Sequence, residues 1–151
     1  MKILVLGAHG QVGRELGLQL DKGLPSGRDS YSVMLASRSQ VDVIDSHALR
    51  DFLELHEPNW IINATAYTAV DKAETEILQA YSVNEHAVRV LAEYCADNNS
   101  SLIHISTDYV FDGRGVRPFC EDSEVAPLGI YGASKLAGEE AIKSTVKRYI
   151  I

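Results

Sequence analysis

The sequence predicts an α/β protein built on a doubly wound parallel sheet. Two observations lead there. Short apolar runs alternate with stretches of helical period, and a glycine triplet follows the first run without an intervening residue. Strands joined through helices of this length run parallel. Right-handed crossovers then leave a doubly wound sheet, covered on both faces, as the simplest arrangement.

Residues 3–6 form a strand-like apolar run, and residues 12–20 set Val12, Leu16 and Leu20 on one helical face. A loop rich in Gly, Pro and Ser follows at 23–30. Residues 33–36 are the second strand. Ser46 is expected to cap a helix carrying Leu49, Phe52, Leu53 and His56, and Pro58 lies just past its end. The third strand is 60–62. One long helix is expected from 77 to 97, with Ala80, Val83, Ala87, Val90, Leu91 and Tyr94 inward, closed by Asn98 and Asn99. The fourth strand is 102–105, a further helix spans 131–146, and a fifth strand begins at 149–151. An apolar strand that has only begun is expected to be the front part of a longer protein.

The 151 residues suffice for one domain with a buried core. A net charge of −7 argues against a nucleic-acid partner, so an anionic ligand must be held by a local device. Cys95 and Cys120 have no metal-ligand or redox spacing and are expected to be reduced thiols. The apolar N-terminal run is too short for a signal peptide or a membrane span, which predicts a cytoplasmic protein without a membrane partner.

The local device is Gly7-Ala8-His9-Gly10-Gln11-Val12-Gly13, set between the first strand and the first helix. Glycines permit the sharp turn and the close approach of backbone to a pyrophosphate, and the third, Gly13, permits tight helix packing. Free N–H groups near Gln11 and Val12 then face the anion. This marks a Rossmann-like, dinucleotide-binding domain. The second strand ends in Ala36-Ser37-Arg38-Ser39, with no carboxylate to repel a 2′-phosphate. Arg38 is available to bind one, which favours NADP(H) and leaves NAD(H) open.

Tyr131 and Lys135 stand four apart, on one face of the expected helix. An ammonium beside a phenol favours phenolate, so this pair suits proton delivery to a carbonyl that is accepting a hydride. Ser106-Thr107 puts hydroxyls at the carboxyl edge of the sheet, where such folds bind ligands, and Thr107 suits a hydrogen bond to that carbonyl.

Together these elements resemble the extended short-chain dehydrogenase/reductase superfamily. Three longer strings narrow the resemblance to the dTDP-4-dehydrorhamnose reductases: Asn63-Ala64-Thr65-Ala66-Tyr67-Thr68-Ala69-Val70-Asp71-Lys72-Ala73-Glu74, Ser106-Thr107-Asp108-Tyr109-Val110-Phe111-Asp112-Gly113, and Pro127-Leu128-Gly129-Ile130-Tyr131-Gly132-Ala133-Ser134-Lys135-Leu136-Ala137-Gly138-Glu139. The resemblance implies pyrophosphate binding by Gly7, Gly10, Gln11 and Val12, with Gly13 in the same loop. It implies adenine contacts from Asp42 and Val43, and a nicotinamide side lined by Ala64, Ala66 and Tyr67. Thr107, Tyr131 and Lys135 would be catalytic, the last two also touching cofactor. The implied reaction is reduction of the 4-keto group of a dTDP-deoxyhexulose, a nucleotide-sugar substrate, to dTDP-L-rhamnose.

Family members run to nearly twice this length. Residues 1–151 are therefore expected to be one NAD(P)-binding domain, truncated before the substrate-binding part and inactive alone. A homodimer of the full-length protein is left open. Some relatives hold a metal at a dimer contact, and Glu15 matches one ligand position, but no metal is expected in this chain. Two alternatives stand: a non-catalytic regulatory subunit resembling the methionine adenosyltransferase β subunit, and a nucleotide-sugar epimerase. His104 is expected to be a satisfied core residue, His47, His56 and His86 surface residues, and 71–76 a solvated helix start.

Overall fold

The computed structural model describes residues 1–22, 31–114 and 118–151; the expected loop at 23–30 lies outside them. Five parallel strands form one sheet: β1 (Lys2–Leu6), β2 (Ser32–Ala36), β3 (Trp60–Asn63), β4 (Ser101–His104) and β5 (Tyr149–Ile150). Their order is β2-β1-β3-β4-β5. After β2 the chain crosses back over β1, so the connections diverge at the β1/β3 seam. That divergence opens a crevice beyond the carboxyl ends of the strands. The predicted doubly wound sheet is present.

Alternation along the strands divides the core. Leu4, Leu6, Ile61 and Leu102 face a large cluster with residues of three helices, α2 (Ser46–His56), α5 (Ala87–Asp97) and α6 (Ile130–Thr145). Ile3, Val5 and Ile62 face the other way, toward Leu16 and Leu20 of α1 (Gln11–Asp21). Between β3 and α5 stand α3 (Val70–Ala73) and α4 (Ile77–Tyr81). No helix among the described residues is long and apolar enough to cross a membrane.

Four local expectations are corrected. The buried face of α1 is Gly13 and Gly17, with Leu16 and Leu20 half-buried beside them, and Val12 is exposed. A Cβ on Gly13 would stand 2.2 Å from the Gly7 carbonyl oxygen, and one on Gly17 would stand 2.8 Å from Leu35. At Gly13 the backbone of the glycine turn excludes any side chain, whereas at Gly17 a larger residue would have to displace the Leu35 side chain. The cap of α2 is Asp45, whose carboxylate accepts from the N–H groups of His47 and Ala48; Ser46 is already helical.

The expected single helix from 77 to 97 is interrupted by a π-helical turn, Ser82–His86, which turns Asn84 inward. Such turns occur where a side chain must leave the α-helical register. The acidic stretch 71–76 is not merely solvated. Glu74 accepts the Ile130 N–H at the start of α6, 56 residues away, and Glu76 accepts the Tyr67 hydroxyl.

The cap assignment is testable by urea unfolding. Asp45→Ala is expected to cost about 1 kcal/mol, whereas Ser46→Ala is expected to be neutral or to gain a few tenths.

Candidate functional site

A cavity of about 350 Å³ lies at the β1/β3 seam. Its walls include Gly7 and Gly10 after β1, Arg38, Asp42 and Val43 after β2, and Ala64, Ala66 and Tyr67 after β3. Eight of the residues singled out from sequence therefore meet in one crevice. Gln11, Val12 and Gly13 sit beside it, in the first turn of α1.

The turn after β1 is held by the Gly7 and Ala8 N–H groups, which both donate to the Ala36 carbonyl. Gly7 has φ +85°, and a Cβ there would stand 2.7 Å from the Ala64 carbonyl oxygen. Only glycine meets both demands. The helix that follows has no side-chain cap, and its internal bonding begins with the Arg14 N–H to the Gly10 carbonyl. The amides of Gln11, Val12 and Gly13 thus open the helix toward the crevice, an arrangement suited to a phosphate group. By contrast, α2 and α6 begin on the carboxylates of Asp45 and Glu74.

Arg38 is exposed and forms a two-pronged ion pair with Asp42, from Nε at 3.2 Å and from a terminal nitrogen at 3.0 Å. The sequence suggested no carboxylate near this position. The chain turns at Ser37–Gln40 and supplies one four residues later, because Gln40 accepts the Ser37 N–H and folds the loop back.

Tyr131 and Lys135 both lie on α6, with Tyr131 half-buried and edge-on to Tyr109 at 5.5 Å between ring centres. The hydrogen bonds of Lys135 run elsewhere. Its Nζ donates to the Ile105 carbonyl at 2.5 Å and lies 3.2 Å from His104 Nε2. Burial pulls this amine down to about 8, and Glu139 partly opposes that shift. Thr107 caps a 3-10 turn, Asp108–Val110, by accepting the Tyr109 N–H. Its hydroxyl donates only a long 3.4 Å bond to Asp108, so that proton is easily redirected.

Two hydrogen-bond chains tie the crevice wall to α6. In one, Asn84 Oδ1 accepts the Tyr67 N–H and its Nδ2 donates to the Tyr67 carbonyl and to Ser134 Oγ, which in turn donates to the Tyr131 carbonyl. In the other, Thr65 donates to Asn63, Asn63 meets His104, and His104 meets Lys135.

The family model described as the RmlD substrate binding domain matches residues 1–151. The chain belongs to this family. It is 40% identical over 151 residues to the dTDP-4-dehydrorhamnose reductase of Aggregatibacter actinomycetemcomitans, covering 99% of this chain and 49% of that protein. A crystal structure of a dTDP-4-dehydrorhamnose reductase from Clostridium acetobutylicum has a TM-score of 0.91 at 38% identity, covering 99% of this chain and 51% of that one. The Bacillus anthracis dTDP-4-dehydrorhamnose reductase, solved in complex with NADP, has a TM-score of 0.86 at 33% identity, covering 98% and 50%. The chain spans about half the length of the curated relatives it matches.

Asn63, Asn84 and His104, which hydrogen bonds join to the candidate site, are the residues that sequence reasoning missed. Asn63 was quoted in a matching string but given no role. Asn84 was hidden in a helical period, which marks apolar positions and says nothing about an inward amide. His104 is the satisfied core residue expected, yet one of its partners is Lys135.

Burial, then the Lys135 charge, lowers the His104 pKa from 6.5 to about 3. Below pH about 6.5 the unfolded chain takes up a proton that folded His104 refuses, so stability falls with acidification toward pH 3. Between pH 7 and 5 this contribution is on the order of 2 kcal/mol. Urea midpoints should show that loss in the native chain, and His104→Gln should remove it.

Proposed function

We propose that residues 1–151 form the NAD(P)-binding part of a dTDP-4-dehydrorhamnose reductase, acting on a dTDP-deoxyhexulose to give dTDP-L-rhamnose. One observation carries this reading: an uncapped glycine-turn helix opens on the seam crevice, and hydrogen bonds join the wall of that crevice to the helix bearing Tyr131 and Lys135. The names of the relatives support the substrate class.

The residues present fit a dinucleotide. The first-turn amides of α1 suit its pyrophosphate, and Asp42 and Val43 suit its adenine end. Ala64, Ala66 and Tyr67 suit the nicotinamide side. NADPH, when bound, supplies a hydride to the substrate carbonyl carbon. Thr107 holds the carbonyl oxygen through its loosely engaged hydroxyl. The Tyr131 phenol delivers the proton to that oxygen as charge develops there. Lys135 stands one helical turn behind Tyr131; its amine, held here by the Ile105 carbonyl and His104, would act on ribose and phenol from that position.

Arg38 and Asp42 together present a guanidinium for a 2′-phosphate and a carboxylate for ribose hydroxyls. This accounts for use of NADP(H) and accommodates NAD(H). Because Arg38 must leave Asp42 to grip a phosphate, its contribution is the difference between two charge-assisted pairings.

Titration of the chain with NADPH and NADH, followed by nicotinamide fluorescence, tests the cofactor site. Saturable binding is expected. Gly10→Glu, which puts a carboxylate at the mouth of α1, should weaken both cofactors on the order of tenfold or more. Arg38→Ala should weaken NADPH by about tenfold and change NADH by less than about twofold. Equal loss of both cofactors in Arg38→Ala would assign Arg38 no part in phosphate selection. Absence of binding by the folded chain would refute a self-sufficient site in these residues.

A further inference from the structure

His104 sits at the end of β4 with 1% of its surface exposed, between a side-chain amide and a buried amine. Asn63 Nδ2 lies 3.1 Å from His104 Nδ1, and Lys135 Nζ lies 3.2 Å from His104 Nε2. Each ring nitrogen therefore has one neighbour, and the neighbours fix where the ring proton resides.

The orientation of Asn63 is set from outside the pair. Its Oδ1 accepts the Thr65 backbone N–H at 3.1 Å and the Thr65 hydroxyl at 2.6 Å. A backbone N–H cannot accept, so Oδ1 must face Thr65 and Nδ2, a donor, must face the imidazole. His104 Nδ1 is consequently the acceptor. A neutral imidazole with an accepting Nδ1 carries its proton on Nε2, which aims that proton at Lys135. An ammonium has three donors and no lone pair, and would meet the Nε2 proton head-on. The uncharged amine accepts it and still donates to the Ile105 carbonyl.

We propose that Asn63 and His104 are positioning residues that set the proton count of Lys135, through a chain running Thr65–Asn63–His104–Lys135. The amide fixes the Nε2–H tautomer, and that tautomer favours the amine form of the lysine. Protonation of Lys135 costs it the His104 partner and leaves the Ile105 carbonyl. Since Thr65 lines the seam crevice, the chain connects the crevice wall to the lysine. The assignment rests on the proposed function only for the part Lys135 plays in reduction; the wiring itself exists without substrate.

Other charged groups near α6 have partners of their own. Glu139 favours the Lys135 ammonium, but it also receives Ser106 Oγ and pairs with Lys143. Glu85 in the π turn pairs with Arg89 and His86. Glu74 takes the Ile130 N–H, Glu76 the Tyr67 hydroxyl and Asp108 the Thr107 hydroxyl, while Tyr109 lies against Tyr131. His104 is the group whose hydrogen bonding opposes the charge on Lys135.

The test is nitrogen-15 NMR of the full chain, free of ligand. Two-bond proton–nitrogen correlations of the His104 ring report its tautomer, and side-chain lysine resonances followed against pH report Lys135. Native protein should show a neutral Nε2–H ring across pH 6 to 8. Asn63→Asp turns an acceptor toward Nδ1, so the ring should gain an Nδ1 proton and the Lys135 pKa should rise by about one unit or more. His104→Gln, which offers Lys135 a carbonyl oxygen, should raise it without an added charge. A native Nδ1–H tautomer overturns the proposal, and so does a Lys135 titration unmoved in a folded Asn63→Asp or His104→Gln chain. If neither variant folds, the native tautomer still decides. Each outcome is independent of turnover, so a failed cofactor assignment would leave this result intact.

Discussion

At Gly7 the turn after β1 passes so close to the strand end at Ala64 that no side chain fits between them. This approach, with its φ of +85°, is the constraint on which the rest of the site depends. It lets α1 start immediately above the sheet and aim its first amides into the seam. It also makes the helix pack through glycine, with Gly13 against the Gly7 carbonyl. The acidic chain thereby gains a local electropositive opening made of backbone alone, which suits an anion that the overall charge would repel.

The opposite side of the site is governed by polar burial. Asn63, Asn84, His104, Ser134 and Lys135 are all buried, and a buried amide or amine without partners would cost several kcal/mol. Among the described residues no buried side-chain nitrogen or oxygen is left without a partner. Satisfaction of that set determines geometry. The π turn carries Asn84 inward to both backbone groups of Tyr67, and the same amide meets Ser134 beside Tyr131. Stability and positioning thus come from the same bonds, and loosening one chain disturbs both the crevice wall and α6.

The fold was legible because hydrophobic period and glycine placement are local signals. Residues 3–6, 33–36, 60–62 and 102–105 lie in or within one residue of observed strands, and the glycine triplet is where the helix begins. The crevice was largely legible as well, since Gly7, Gly10, Arg38, Asp42, Val43, Ala64, Ala66 and Tyr67 all line it. What escaped was non-local pairing. Neither Glu74 on the start of α6 nor the four-residue chain from Thr65 to Lys135 leaves a periodic trace. Each arises only once separate strands and helices are brought side by side. The choice of Ser46 over Asp45 failed for a smaller reason: both residues cap helices well, and only the backbone decides between them.

The proposed reaction rests on one claim, that α6 brings a proton donor to the crevice proposed for the cofactor. Tyr131→Phe, made in a polypeptide of the relatives' full length that carries these residues, isolates that claim. NADPH affinity and the rate of reduction of the dTDP-4-keto sugar would be measured on the same preparation. The expected result is an NADPH Kd within about twofold of the parent and a kcat lowered by on the order of 10² to 10⁴. An unchanged kcat would contradict it, since the proton would then come from a group other than Tyr131.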